Sequence, residues 1–172
     1  LQACVAAAAG STDPVAAAAD YRRACAGGHQ SACAALADKL EAGEGVERDV
    51  NQARDLRQTA CDAGIGDACR ALALALDDDE AAVAMIADSC DDGDGASCFT
   101  LGRWYDDGPK SGRVKTDWFK AAGFYDKACV QEHARACVEL AHMYFKGRGV
   151  SSDVRRAREL VEHACRAEDN EG

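Results

Sequence analysis

The sequence predicts an all-α chain built from stacked two-helix repeats. Three observations predict it: a cysteine pair that recurs at one spacing, a Leu, small residue and Tyr or Leu block at helical intervals behind it, and a glycine-rich break followed by an aspartate. At 48% hydrophobic residues the 172-residue chain can bury a core. At 6% aromatic residues that core has to come from small side chains in closely packed elements.

The cysteines set the repeat. Eight of the ten form four C-x7-C pairs: Cys25/Cys33, Cys61/Cys69, Cys90/Cys98 and Cys129/Cys137. One short spacing used four times makes local disulfides the simplest reading, with free buried thiols and metal ligation as the alternatives. Zinc pairs favour C-x2-C or C-x4-C, and redox catalysis favours C-x-x-C, so this spacing suits neither. Cys4 and Cys165 keep the same register. Cys4 precedes Cys25 by the step that separates Cys69 from Cys90, and Cys165 follows Cys137 by the step from Cys33 to Cys61. Both are expected to be halves of cut pairs, so the chain reads as part of a longer array. Leu1-Gln2-Ala3-Cys4 also resembles a bacterial lipoprotein cleavage box, which would make Cys4 a lipid anchor.

Aligned on the second cysteine, the chain reads as a single solenoid domain over 1–172 of about four to five helix pairs, in approximate units 1–31, 32–67, 68–96, 97–135 and 136–172. The unit from Ala32 places Leu36, Ala37 and Leu40 on one helical face, breaks at Gly43-x-Gly45-Val46, and restarts at Asp49 with Ala53, Leu56 and Ala60. Glycine ends the first helix because it accepts backbone angles that other residues resist. The aspartate suits the cap of the second, where its carboxylate accepts from free amides. The unit from Ala68 is shorter and uses Asp77-Asp78-Asp79 in place of the glycine loop. The unit from Ser97 keeps Leu101, Gly102, Tyr105, Gly108, Asp117 and Ala121, with three extra residues around Pro109 to Lys115. The unit from Ala136 repeats the first with Leu140, Ala141, Tyr144, Gly147-x-Gly149-Val150, Asp153, Ala157 and Leu160.

The pattern A-x2-L-[GA]-x2-[YL]-x2-G-x-G-V-x2-D-x3-A, closing on Ala-Cys, resembles the Sel1-like repeat, a relative of the tetratricopeptide repeat. Its regular cysteine pairs are similar to the cysteine-rich branch known from secreted Helicobacter proteins. The resemblance implies a right-handed α/α solenoid with one disulfide per repeat. It also implies a protein-binding scaffold outside the cytoplasm: periplasmic, cell-surface or secreted. It opens a second reading, a cell-wall or β-lactam-interacting protein with weak β-lactamase-like activity, against which the absence of Ser-x-x-Lys counts. The third reading is the lipid-anchored envelope protein.

No catalytic constellation stands out, so the expectation is a non-enzyme with no cofactor and no metal. Gly-x-Ser-x-Gly, the P-loop and His-Glu-x-x-His are all missing. His29 and His133 occupy the same place in two x7 turns and read as turn residues. Asp91-Asp92-Gly93-Asp94-Gly95 has Cys90 and Leu101 where a calcium loop needs Asp and Glu, so it reads as helix-start carboxylates. A net charge of -10 argues against a general nucleic-acid binder, and no apolar run is long enough to span a membrane.

The partner surface is expected on the concave face, lined by the first helix of each repeat. Residues two and five past the repeat leucine point there: Asp38 and Glu41, Leu74 and Asp77, Arg103 and Asp106, His142 and Phe145. Trp104, Trp118, Phe119 and Phe145 lie off the shared core pattern and join the surface as candidates, whereas Tyr105 and Tyr144 hold core positions. A basic or extended peptide would fit a face that is acidic at its N-terminal end and aromatic at the other. A place as a subunit of a larger assembly also fits such a scaffold.

Overall fold

The structure, a computed structural model, describes residues 12–108 and 113–170. Among the described residues it contains nine helices and no strand: α1 Pro14–Ala26, α2 Gln30–Ala42, α3 Val50–Asp62, α4 Gly66–Ala75, α5 Asp79–Asp91, α6 Gly95–Asp107, α7 Trp118–Val130, α8 Ala134–Lys146 and α9 Val154–Asn170. No helix is long and apolar enough to cross a membrane among these residues. Chain contacts gather into two units, Leu1–Ala75 and Leu76–Gly172.

Side-chain caps set the helix starts. Asp13, Asp49, Asp78, Asp94 and Asp117 sit in extended backbone, and each carboxylate accepts from an amide in the turn that follows. Asp153 does the same for Arg155 and Arg156, which holds its carboxyl below the usual carboxylate range, the Arg156 amide contributing most. The aspartates that read as helix-start residues in the sequence therefore fill that role.

The Gly-x-Gly-Val motif does two jobs. Its first glycine, Gly43 or Gly147, takes a left-handed conformation and closes α2 or α8. Its second lies flat on a neighbouring helix start. A Cβ on Gly45 would overlap the carbonyl of Pro14 in α1, and one on Gly149 would overlap the carbonyl of Trp118 in α7. The loop thus anchors each helix pair to the start of the helix before it.

In the first unit Leu36, Ala37, Leu40 and Ala53 form a core cluster with Tyr21, Val46 and Leu56 against it. A second cluster centres on Cys33, Ala60 and Ala68. In the other unit Ile86, Leu101, Tyr125 and Leu140 are fully buried. Buried alanines at the contacts let helix axes approach closely, which suits a core poor in aromatics.

The four disulfides form as the spacing suggested: Cys25–Cys33, Cys61–Cys69, Cys90–Cys98 and Cys129–Cys137. Each joins the end of one helix to the second turn of the next, with Cα atoms 4.7 Å apart. Closing so short a loop restricts the unfolded chain by about 2.5 kcal/mol per bridge on the chain-entropy account. Cys165 is a free, exposed thiol. Cys4 lies outside the described residues.

Candidate protein-interaction surface

The faces of α2, α6 and α8 share one register, and a residue from the second helix of each pair meets them at one equivalent place. What stands there changes from repeat to repeat. In the first unit it is Arg57 of α3, whose guanidinium reaches Asp38 at 2.8 Å and Glu41 at 2.5 Å. Burial disfavours that cation, but hydrogen bonds to both carboxylates outweigh it and raise its pKa. Asp38 and Glu41 remain exposed, yet half of their charge is answered by an arginine that is itself largely covered. Beside them Lys39 pairs with Glu44 at 2.6 Å, a hydrogen bond that raises the lysine pKa. The α2 face is therefore less acidic than its sequence suggests. Leu74 and Asp77 of the next repeat are both exposed.

In the second unit the place of Arg57 falls to Tyr125 of α7, packed on Gly102 and Phe99. Its phenol is pushed above its ordinary range, first by burial and then by the nearby charge of Asp106. Arg103 is exposed and pairs with Asp107 at 3.2 Å. Asp106 is half-buried and bonds Arg148, which also lies over the Trp118 ring at 5.2 Å.

One repeat later the same place is held by Val161 of α9, and ion pairing gives way to apolar contact. Val161, Phe145, Val154, Ala141 and Ala157 form a groove of about 220 Å³, bordered by His142 and Arg158. Phe145 is 63% exposed there, and Val154 and Val161 are also open to solvent. His142 is exposed, with Glu139 3.9 Å away.

The expected aromatic surface divides. Phe119 is 79% exposed and Trp118 45%, both at the start of α7. Phe119 faces an open hollow with Tyr144 and the Gly147 to Asp153 loop. Trp104, expected on this surface, is instead buried at only 7% exposure. Its position in the repeat, like that of Met143, turns inward on these helices, and Arg113 from the extended loop lies 5.8 Å from its ring. Arg113 is held in turn by the Leu76 carbonyl and Asp79. Tyr105 and Tyr144 are half-buried rather than central.

His29 and His133 both stand at helix N-caps, which their turn position did not specify. His133 accepts from the Ala136 amide at 3.3 Å and stacks on Phe99 at 4.5 Å. In the acidic loop Asp94 caps α6 and Asp91 pairs with Lys127 at 2.7 Å, so these carboxylates have structural roles. Among the described residues, the one group of His, Cys and carboxylates close enough to hold a metal is Cys129, Cys137 and His163, and its two sulfurs are joined to each other.

The Sel1 repeat family matches residues 30–65, 95–133 and 134–169, more than half of the chain. The chain belongs to the Sel1 repeat family. Its fold is the all-α solenoid type of that family. A Sel1 repeat protein from Oxalobacter formigenes superposes with a TM-score of 0.75 at 27% identity, covering 90% of this chain and 46% of the other. Helicobacter pylori cysteine rich protein B superposes with a TM-score of 0.57 at 27% identity, covering 71% of this chain and 90% of that one. A protective antigen of uropathogenic Escherichia coli with the same fold gives a TM-score of 0.59 at 20% identity, covering 96% of this chain and 45% of the antigen. The chain thus spans about half the length of two of these neighbours. No curated protein matches the sequence. Sel1 repeats are typically scaffolds for protein–protein interaction.

Proposed function

We propose that the chain is a non-catalytic adaptor that binds an extended polypeptide on the face lined by the first helices of its repeats, in an oxidising setting outside the cytoplasm. The observation that carries the reading is the apolar groove around Phe145 and Val161. At the equivalent place an internal repeat holds an ion cluster and another a buried tyrosine, whereas here large apolar side chains stand in water. An exposed aromatic beside an arginine is the usual make-up of a binding hot spot. His142 and Arg158 at its border favour a ligand that places an acidic residue next to its apolar anchor. The neutralising role of Arg57 weakens the case for a strongly basic ligand at Asp38 and Glu41. Four structural disulfides support the extracytoplasmic setting, since such bridges persist where thiols oxidise.

Selection of displayed peptides on the oxidised protein tests this reading. Peptides with an aromatic or aliphatic anchor should emerge, and Phe145→Ser or Val161→Ser should weaken them at least about tenfold. Asp38→Lys with Glu41→Lys should change affinity by less than about threefold for the same peptides. Peptides insensitive to Phe145 and lost on charge reversal at Asp38 and Glu41 would contradict the assignment of the face.

A further inference from the structure

We propose that Cys129, Cys137 and His163 form a redox-gated site for a zinc-like divalent cation, closed while the disulfide is intact and opened by its reduction. Three helices meet at this point. Cys129 ends α7, Cys137 lies in the second turn of α8, and His163 comes from α9. His163 Nδ1 is 3.5 Å from Cys137 Sγ and 4.0 Å from Cys129 Sγ. All three potential ligand atoms lie within 4.8 Å of one another. A tetrahedral zinc ion with sulfur at about 2.3 Å and nitrogen at about 2.0 Å sets its S···N edges near 3.5 Å and its S···S edge near 3.8 Å. His163 Nδ1 is already at that distance from Cys137 Sγ, so the two sulfurs have to part and Cys129 Sγ has to close on the nitrogen by about 0.5 Å, movements that breaking their bond allows.

The surroundings are balanced in charge and open to solvent. Cys129 and His163 line a pocket of about 340 Å³ together with Asp126 and Glu159. The pocket gives the ion a route and leaves a fourth position for water; on its walls Glu159 pairs with Arg156 at 3.2 Å, and Asp126 stands against Arg166. The site also belongs to this repeat alone. Counting two residues back from the first cysteine, the sequence has Thr59, Asp88 and Lys127 where the last repeat has His163. No other His, Cys and carboxylate group among the described residues is close enough to hold an ion.

The reaction balances with a dithiol as reductant. Two electrons and two protons pass from the dithiol to the Cys129–Cys137 bond, giving two protein thiols and the oxidised dithiol. The cation then displaces one proton from each thiol, and His163 binds through the Nδ1 lone pair with its own proton on Nε2. The spacing that makes C-x7-C a poor zinc pair is offset by a third ligand from α9, 26 residues beyond Cys137.

Cobalt(II) is the probe. The protein, reduced anaerobically by excess dithiol that is then removed, should bind one tight equivalent with tetrahedral d–d absorption and a sulfur-to-cobalt band. His163→Ala should weaken binding at least about tenfold and shift the spectrum. Cys129→Ser with Cys137→Ser should abolish the sulfur band, and Cys165→Ser should leave it in place. If reduction unfolds the chain, zinc should restore helicity to the wild type and not to His163→Ala, because site and fold then form together. A reduced wild type that gains neither spectrum nor helicity, or a His163→Ala variant that equals it, would overturn the proposal. Failure here leaves the adaptor reading intact, since the two use different side chains.

Discussion

Alanine at Gly102 and alanine at Gly123 should move stability in opposite directions, although both glycines lie inside helices. In α7 Gly123 is exposed, with nothing within 4 Å of an added Cβ. The substitution there should stabilise by about 1 kcal/mol through helix propensity. In α6 a Cβ on Gly102 would fall 2.5 Å from Tyr125 Cδ1 and 2.6 Å from Cε1. Ordinary contact begins near 3.4 Å, so the ring has to give by close to 1 Å. It has little room, being only 1% exposed with Phe99 at 5.8 Å on its flank. Overpacking of this kind costs about 1–3 kcal/mol, against the same helix gain of about 1. Gly102→Ala should therefore fall about 1–3 kcal/mol below Gly123→Ala in guanidinium unfolding followed by circular dichroism. In a Tyr125→Leu background the gap should shrink below about 1 kcal/mol, because the clash is the coupling. Equal stability for the two single variants would refute the claim that Tyr125 dictates glycine in the slot that holds Ala37 and Ala141 elsewhere.

Three further outcomes follow from the same physics. Removing the Cys25–Cys33 bridge as a double alanine variant should cost about 2.5 kcal/mol in denaturant, and full reduction should lower the thermal midpoint by far more. Asp117→Ala should cost about 1 kcal/mol by leaving the Lys120 amide of α7 unpaired, which the same unfolding assay measures. The Tyr125 phenol keeps its proton in the folded state to a pH at which the unfolded chain, near pH 10, has lost it. Its contribution to stability is thus full below about pH 10 and lost as pH rises toward the folded value, and Tyr125→Phe should delete a late phenolate step in an alkaline absorbance titration.

The repeat was legible because its determinants are local. A disulfide across eight residues, an aspartate two or three residues from the amide it caps, and a glycine that ends a helix all act within one turn or two. The surface was less legible because it is made between helices. Asp38 and Glu41 show their charge in the sequence, but the arginine that answers them lies 19 residues past Asp38 and resembles any other surface arginine. Trp104 looked external because the shared pattern marks its neighbour Tyr105, and the indole turned inward where the extended loop supplied Arg113 to cover it. His163 carries no local signal at all. Only the register of the repeats, read against the preceding cysteine pair, would have pointed to it.

Hydrogen exchange of the oxidised protein, free and bound to a selected peptide, tests the central claim most directly. Protection gained along α8 and the first three turns of α9, from Ala141 to Val161, is the result expected of a ligand seated on Phe145. Protection confined to Asp38 and Glu41 in α2, or to the Trp118 and Phe119 end of α7, would contradict it.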